Sequence, residues 1–279
     1  MPSAVPITDR SSASPAGLSF FFPTGRRPTR DDVTAAVATI DRMWISFDPA
    51  DMPVGRSDGW SDRKDHRGAW LELMMSGMTF DLLGLAPLPG VAVPPARHRI
   101  GFRQTALIEQ NEVVALVPGP HIADAANTLP VLRAMLDMGC LLARALGSVS
   151  AIGWRPASTL IDVDTFCIMV ANWTKGGPFP AHGIVAFSLG EGNRLASEGL
   201  RFFIGRELRF DAALSGDAVG ATRLGSRIVN ALVARDRTSI PTIFETETGE
   251  TFSLSCEPGG NLIEVARISV HDYHAAPGS

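Results

Sequence analysis

Short apolar runs and stretches of helical periodicity follow one another along the chain, and together they predict an α+β fold. Apolar runs bounded by Gly or Pro predict strands at 18–22, 71–75, 78–83, 99–103, 112–117 and 151–154. Apolar residues spaced three and four apart predict helices over 29–43, 121–147, 163–173 and 217–235. Because neighbouring strands are joined by short turns, we expect mixed, mainly antiparallel sheets with three to four packed helices.

The C-terminal half continues with strands. These are predicted over 182–189, 195–204, 207–210, 242–247, 251–256 and 262–270. The last of them is apolar and could present an unpaired edge, which favours self-association into a homo-oligomer.

Polar and Pro-rich segments divide the chain. Residues 1–17 have the Ser, Pro and Ala content of a disordered leader, and 271–279 have the composition of a flexible tail. The segment 86–96 contains four prolines. It predicts a boundary between an N-terminal α+β subdomain, 18–96, and a C-terminal α+β domain, 97–270. A long polar loop over 47–68, which contains Trp60, is a candidate for contact with a partner.

Composition excludes several classes of function. The 25 Lys and Arg against 29 Asp and Glu give a net charge of −4, so no basic field favours nucleic acid. No window is long and apolar enough for a membrane span, and residues 1–17 lack the continuous apolar run of a secretory signal, so we expect neither. Three widely spaced cysteines indicate no disulfide framework. We therefore expect a cytoplasmic protein that binds neither nucleic acid nor membrane.

Aromatic and glycine residues between 153 and 180 form the first candidate pocket. Trp154, Arg155 and Trp173 could line a site for a planar or anionic ligand, beside the loop Gly176-Gly177. The alternative is that both tryptophans pack helix against sheet. A ligand pocket would leave them partly exposed, whereas a structural role would bury them, and the structural role is favoured.

Charged residues between 197 and 209 form the second candidate. Glu198, Arg201 and Glu207 alternate with apolar residues on predicted strands, which places their charges on one face. A solvated face with ion pairs is favoured over a binding site. Asp162 and His182 could converge with Glu198 in space, although a His182 that is satisfied in the core or at a strand end is favoured, and Asp162 has the chemistry of a helix N-cap.

Catalytic and cofactor motifs are missing from the sequence. There is no GxSxG elbow, no HxH or HExxH spacing, no P-loop and no GxGxxG. Cys140 and Cys167 lie in apolar helical runs, which is typical of small buried hydrophobes. Arg97, His98, Arg99 and Arg103 form a basic patch that is interpreted as a surface feature or partner contact. We predict no metal and no cofactor, and no catalytic residue is assigned.

One region resembles a known family. The order of Gly153–Pro156, Asp162 with Phe166, Asn172–Pro180, Ser197–Leu200 and Gly205–Arg209 resembles a bacterial family of single-domain cytoplasmic proteins of unknown function. The resemblance spans about 100–270 and is loose outside 153–210. The family implies no reaction. Neighbouring families suggest partner binding in bacterial conflict systems, as immunity-like proteins.

Two functions therefore remain. The favoured one is a non-enzymatic binding or interaction protein that contacts a protein partner through 47–68 and 86–96. The alternative is a small-molecule-binding protein or enzyme, with a pocket between the Trp154/Trp173 region and Glu198, Arg201 and Glu207.

Overall fold

The computed structural model describes residues 16–49, 70–103, 111–235, 240–257 and 259–268. The predicted leader before residue 16, most of the predicted loop 47–68 with Trp60, and the predicted tail 271–279 lie outside these ranges.

The first sheet has eight strands. They are β1 Leu18–Phe22, β2 Met43–Phe47, β3 Trp70–Met75, β4 Met78–Leu83, β5 His98–Ile100, β6 Glu112–Pro118, β7 Ala151–Trp154 and β8 Thr159–Ile161. Their order across the sheet is β2-β3-β4-β6-β1-β7-β8-β5. Every pair is antiparallel except β5 with β8.

The second sheet has six strands. They are β9 Ala186–Leu189, β10 Leu195–Glu198, β11 Glu207–Phe210, β12 Ile243–Glu245, β13 Thr251–Cys256 and β14 Leu262–Arg267, in the order β12-β13-β14-β11-β10-β9. The pair β11 with β14 is parallel and the others are antiparallel. Because β14 lies between β13 and β11, it does not present the edge that favoured self-association.

Helices cover the sheets. They are α1 Arg30–Val37, α2 Leu129–Leu146, α3 Val163–Thr174, α4 Ala181–Ile184, α5 Arg201–Ile204, α6 Ala212–Ser215 and α7 Ala218–Val233. Short 3-10 turns lie at Pro120–Ala125, Arg155–Ala157 and Glu191–Asn193. Thr29, Asp162 and Asp217 cap α1, α3 and α7 by accepting hydrogen bonds from backbone N–H groups. The predicted α+β fold with mixed, mainly antiparallel sheets is confirmed.

One apolar core joins both sheets. Phe20 of β1, Leu136 of α2 and Phe210 of β11 belong to the same buried cluster. Strands from both sides of the predicted boundary at 96 meet in the first sheet, since β6 pairs with both β4 and β1. The described strands of 18–96 are therefore built into the same sheet as strands of 97–270.

Several predicted elements have other bounds in the structure: the predicted helix 121–147 begins only at Leu129, and three further elements begin or end at a turn. The predicted helix 29–43 ends at Val37, because Met43–Phe47 pairs as edge strand β2 with β3. The predicted strand 182–189 begins only at Ala186, since Gly183 has a φ of 127° within an irregular turn. The predicted strand 195–204 ends at Glu198 and turns into α5. In these three cases the prediction extended a helix or strand through a local turn.

Candidate functional site

Both candidate tryptophans lie in the core. Trp154 is fully buried, and its Nε1–H donates a 2.9 Å hydrogen bond to the carbonyl oxygen of Ile184. Trp173 is 3% exposed and packs edge-on against Phe179, with the guanidinium of Arg133 above its ring. Burial of both side chains is expected of a structural role and not of a ligand pocket, so neither indole forms the wall of a cleft.

A cleft of about 480 Å³ lies where the two sheets meet. One side is the 3-10 turn that follows β7, and the other is the turn from β10 into α5. The residues that line it are Ala16, Arg155, Pro156, Ser197, Glu198, Gly199, Arg201, Phe202 and Glu207. The structure thus brings together four predicted site residues: Arg155, Glu198, Arg201 and Glu207.

The Glu207 carboxylate is committed to the fold. One oxygen accepts hydrogen bonds from the N–H groups of Gly199 and Arg201, at 2.9 and 3.0 Å. The other accepts from the Leu200 N–H at 3.1 Å and from the Ser197 hydroxyl at 2.5 Å. Three successive backbone N–H groups therefore hold this carboxylate as an anion nest, which fixes the turn between β10 and α5.

The turn also approaches the opposite side of the cleft closely. Gly199 has a φ of 102°, and a Cβ atom there would lie 2.7 Å from the Cβ of Ala157. Glycine is therefore required at this position both by its left-handed backbone and by the contact with the 3-10 turn.

The Glu198 carboxylate joins the two sheets. It lies at the end of β10 and accepts a hydrogen bond from the Ser158 hydroxyl at 2.8 Å, while His98 Nε2 lies 2.9 Å from its other oxygen. Arg97 forms an ion pair with the same carboxylate. Burial raises the pKa of Glu198, whereas the hydrogen bonds from His98, Ser158 and Arg97 lower it. The lowering effects together are larger than the effect of burial, so the pKa lies below its ordinary value.

Ser158 holds an unusual backbone conformation in this cluster. Its φ of 48° is in the left-handed region, which non-glycine residues rarely adopt. Its carbonyl oxygen accepts hydrogen bonds from the N–H groups of Arg97 and His98, at 2.9 and 3.1 Å. The Ser158 backbone is therefore held by Arg97 and by His98, the first residue of β5. In this conformation the Ser158 hydroxyl donates to Glu198.

The two arginines of the cleft have no such partners. Within the part of the chain that the structure describes, neither the Arg155 nor the Arg201 side chain makes a hydrogen bond or an ion pair. Both nearby carboxylates are already engaged, Glu207 by the turn and Glu198 by Arg97, His98 and Ser158. The cleft therefore offers two guanidinium groups to a ligand.

The remaining predicted residues lie elsewhere. Asp162 caps α3, where it accepts a 3.1 Å hydrogen bond from the Thr165 N–H. His182 is exposed and lines a separate groove of about 660 Å³ along α7, together with Arg223 and Arg227. Over the described ranges, no three His, Cys, Asp or Glu side chains are grouped to hold a metal. A convergence of Asp162, His182 and Glu198 on one metal is therefore not found among the described residues.

The helical cysteines are buried, as predicted. Cys140 is 7% exposed and Cys167 is fully buried, and the Cys167 thiol lies 3.7 Å from the Cys140 carbonyl oxygen. A hydrogen bond with Cys167, together with burial, raises the pKa of the Cys140 thiol. A buried thiol whose pKa is raised is a poor nucleophile.

Sequence reasoning missed three members of the polar cluster. Arg97 and His98 were interpreted as part of a surface patch, and Ser158 was not singled out. Arg97 and Glu198 are 101 residues apart, so no local spacing reveals their contact. A weak signal was the excess of uncompensated basic residues over 97–103, which required a carboxylate from another element.

Comparison of the chain with family models, with curated proteins and with solved structures finds no match. The resemblance carried by 153–210 therefore stays a prediction. Among the described helices, none combines the length and the apolar character that crossing a membrane requires.

Proposed function

We propose that the protein is a non-enzymatic binding protein that holds an anionic ligand in the cleft between Arg155 and Arg201. The observation that carries this proposal is the pair of guanidinium groups in one cleft that have no partner among the described residues. A guanidinium presents a planar fork of N–H donors that matches the two oxygens of a carboxylate or phosphate. We call this site the Arg155–Arg201 cleft.

The other polar groups of the cleft favour binding over catalysis. The lowered pKa of Glu198 keeps it ionised at neutral pH, so it is a poor proton donor. The hydroxyls of Ser158 and Ser197 donate to Glu198 and Glu207, and both serines are buried. The Ser197 hydroxyl, which lines the cleft, does pair with the Glu207 carboxylate, but three backbone N–H groups already bind this carboxylate, which makes it a weak base for activating a nucleophile.

The first test compares two double variants that remove the same charge. Arg155→Gln/Arg201→Gln changes the cleft, whereas Arg26→Gln/Arg235→Gln changes two exposed arginines that line neither the cleft nor the groove along α7. Inorganic phosphate and citrate are titrated into each protein by calorimetry, and circular dichroism checks the fold. We expect the cleft variant to bind at least about 100-fold more weakly, since each charged hydrogen-bonded contact contributes about 1.5–3 kcal/mol.

The control separates a site from a general charge effect. If both double variants weaken binding equally, the anion is attracted by net charge and the cleft is not the site. Absence of binding to the unaltered protein at millimolar phosphate and citrate would overturn the proposal.

A second candidate function rests on the groove along α7. Arg223, Arg227 and His182 are exposed there, the residues that line it include no carboxylate, and Val219 is 62% exposed. Arg223 and Arg227 are one helical turn apart, so their side chains emerge on the same face. Charge complementarity favours an acidic segment of a protein partner, which fits an interaction protein.

A defined peptide tests this second candidate. A fluorescent peptide of alternating Glu and Ala is compared with its Gln counterpart by anisotropy at low salt. We expect the Glu peptide to bind the unaltered protein and to lose at least about 10-fold in affinity with Arg223→Glu/Arg227→Glu. Equal binding of both peptides, or no effect of the variant, contradicts an acidic partner at this groove.

A further inference from the structure

A second, smaller cavity adjoins the same arginine. It has a volume of about 110 Å³ and lies against β1, β4 and β6 of the first sheet. Arg155 lines both this cavity and the Arg155–Arg201 cleft. The chain itself also passes from one to the other, since Ala16 lines the cleft and Gly17 lines the cavity.

The smaller cavity is apolar. Its walls are formed mainly by Leu18, Leu83, Val91, Ala115 and Val117. Ser19 and Arg155 are the polar residues among those that line it. We call it the apolar cavity. A volume with such walls favours hydrocarbon over water, because it offers water few hydrogen-bond partners.

Size limits what the apolar cavity can hold. An apolar cavity of about 150 Å³ accommodates a benzene molecule. A volume of 110 Å³ is somewhat smaller. By this measure an alkyl group of about four carbons would fill it.

The Arg155–Arg201 cleft and the apolar cavity together indicate a class of ligand. We propose that the ligand is a small amphiphilic acid whose carboxylate pairs with Arg155 and Arg201 and whose short alkyl group enters the apolar cavity. The inference rests on the proposed anion binding and adds the apolar half of the ligand. Because Arg155 lines both spaces, its guanidinium can pair with the head group of a ligand whose alkyl group lies in the cavity.

A homologous series of acids tests the inference without any variant. Acetate, propanoate, butanoate, pentanoate and octanoate are titrated into the full chain, and each Kd is measured by NMR chemical-shift perturbation. Each added methylene that enters the cavity should tighten binding about fourfold. Pentanoate should therefore bind about 60-fold more tightly than acetate, and octanoate should gain nothing further.

A matched pair of variants locates the effect. Ala92 lines the apolar cavity, whereas Ala96 lies in the same Pro-rich segment and does not line it. Both residues are exposed on the surface. We expect Ala92→Leu to reduce the gain from acetate to pentanoate to less than about fivefold, because the added side chain occupies the apolar cavity. Ala96→Leu should retain the full gain.

The outcomes distinguish the two proposals. If every acid binds with the same Kd whatever its chain length, the amphiphilic ligand is wrong and anion binding in the cleft stands. If the gain with chain length is the same in Ala92→Leu as in the unaltered protein, the alkyl group binds elsewhere and the inference is overturned. If neither these acids nor inorganic phosphate binds, the proposed function fails and the inference fails with it.

Discussion

The aromatic cluster around Trp154 and Trp173 and the charged cluster around Glu198, Arg201 and Glu207 behave in opposite ways. Both were candidate walls of one pocket. The structure places the aromatic cluster in the core and the charged cluster around an open cleft. The first cluster stabilises the fold, whereas the second combines carboxylates that hold the fold together with an arginine, Arg201, whose side chain has no partner among the described residues.

The difference follows from the number of polar atoms that each side chain carries. An indole has a single N–H, and the carbonyl oxygen of Ile184 satisfies that of Trp154. A carboxylate needs several donors and a guanidinium needs several acceptors. Glu198 and Glu207 find their donors within the chain, whereas Arg155 and Arg201 find no acceptor among the described residues.

The largest expected effect is on the aromatic side of the comparison. Trp154→Ala should lower the free energy of unfolding by about 3–5 kcal/mol, because it leaves a large cavity and an unpaired carbonyl group at Ile184. Trp44→Ala is the matched control, since Trp44 is 48% exposed on edge strand β2. Urea unfolding should show a loss of about 1 kcal/mol or less for the control. Equal losses for the two variants would contradict the assignment of Trp154 to the core.

The next effect concerns the Glu207 carboxylate, which holds the turn between β10 and α5. Glu207→Gln should lower the free energy of unfolding by about 2 kcal/mol, because a neutral amide replaces a charged acceptor of three backbone N–H groups. Glu250→Gln is the control, since Glu250 is exposed and contacts Arg267 at the surface. If Glu250→Gln loses as much free energy of unfolding as Glu207→Gln, the anion nest contributes no more to stability than a surface ion pair does.

The sequence predicts well those features that depend on neighbouring residues. The hairpin of β3 and β4 follows from two apolar runs around Ser76-Gly77, both of which have positive φ. Asp162 caps α3, as its position before the predicted helix 163–173 indicates, and Gly147, the last residue of the predicted helix 121–147, ends α2 in the left-handed region. In each case the decisive contact lies within a few residues.

The site depends on distant contacts instead. The turn from β10 into α5 is held by Glu207, which the sequence pattern placed simply on a neighbouring strand. Glu198 is held by residues about 40 and 100 positions away. Charge alternation over 197–209 therefore indicated residues that line one cleft, but it did not indicate what each of them contacts.

A third effect follows from the pKa of Glu198. Because its pKa is lowered in the folded protein, Glu198 stabilises the fold above its ordinary value of 4.5, and this contribution is lost as the pH falls through the folded pKa. We expect about 1 kcal/mol or less, since the ion pair with Arg97 is partly exposed to solvent.

Unfolding between pH 7 and pH 3 measures this contribution. Glu198→Gln should show a weaker loss of stability over this range than the unaltered protein, whereas Glu191→Gln, at an exposed 3-10 turn, should match the unaltered protein. Asp32 also has a lowered pKa, owing to its hydrogen bonds with Thr29, so some acid sensitivity should remain in Glu198→Gln. Identical profiles for Glu198→Gln and the unaltered protein would contradict the role of this carboxylate.

The smallest expected effect on stability concerns the two arginines of the cleft, Arg155 and Arg201. Arg155→Gln/Arg201→Gln should change the free energy of unfolding by no more than about 0.5 kcal/mol, because neither guanidinium has a described partner to lose. Removing two cations from one cleft should even relieve some repulsion between them. A loss of anion binding without a loss of stability would mark the pair as residues whose contacts are completed by a ligand. A loss of more than about 2 kcal/mol would instead place Arg155 and Arg201 with Glu207, among the groups that hold the turn.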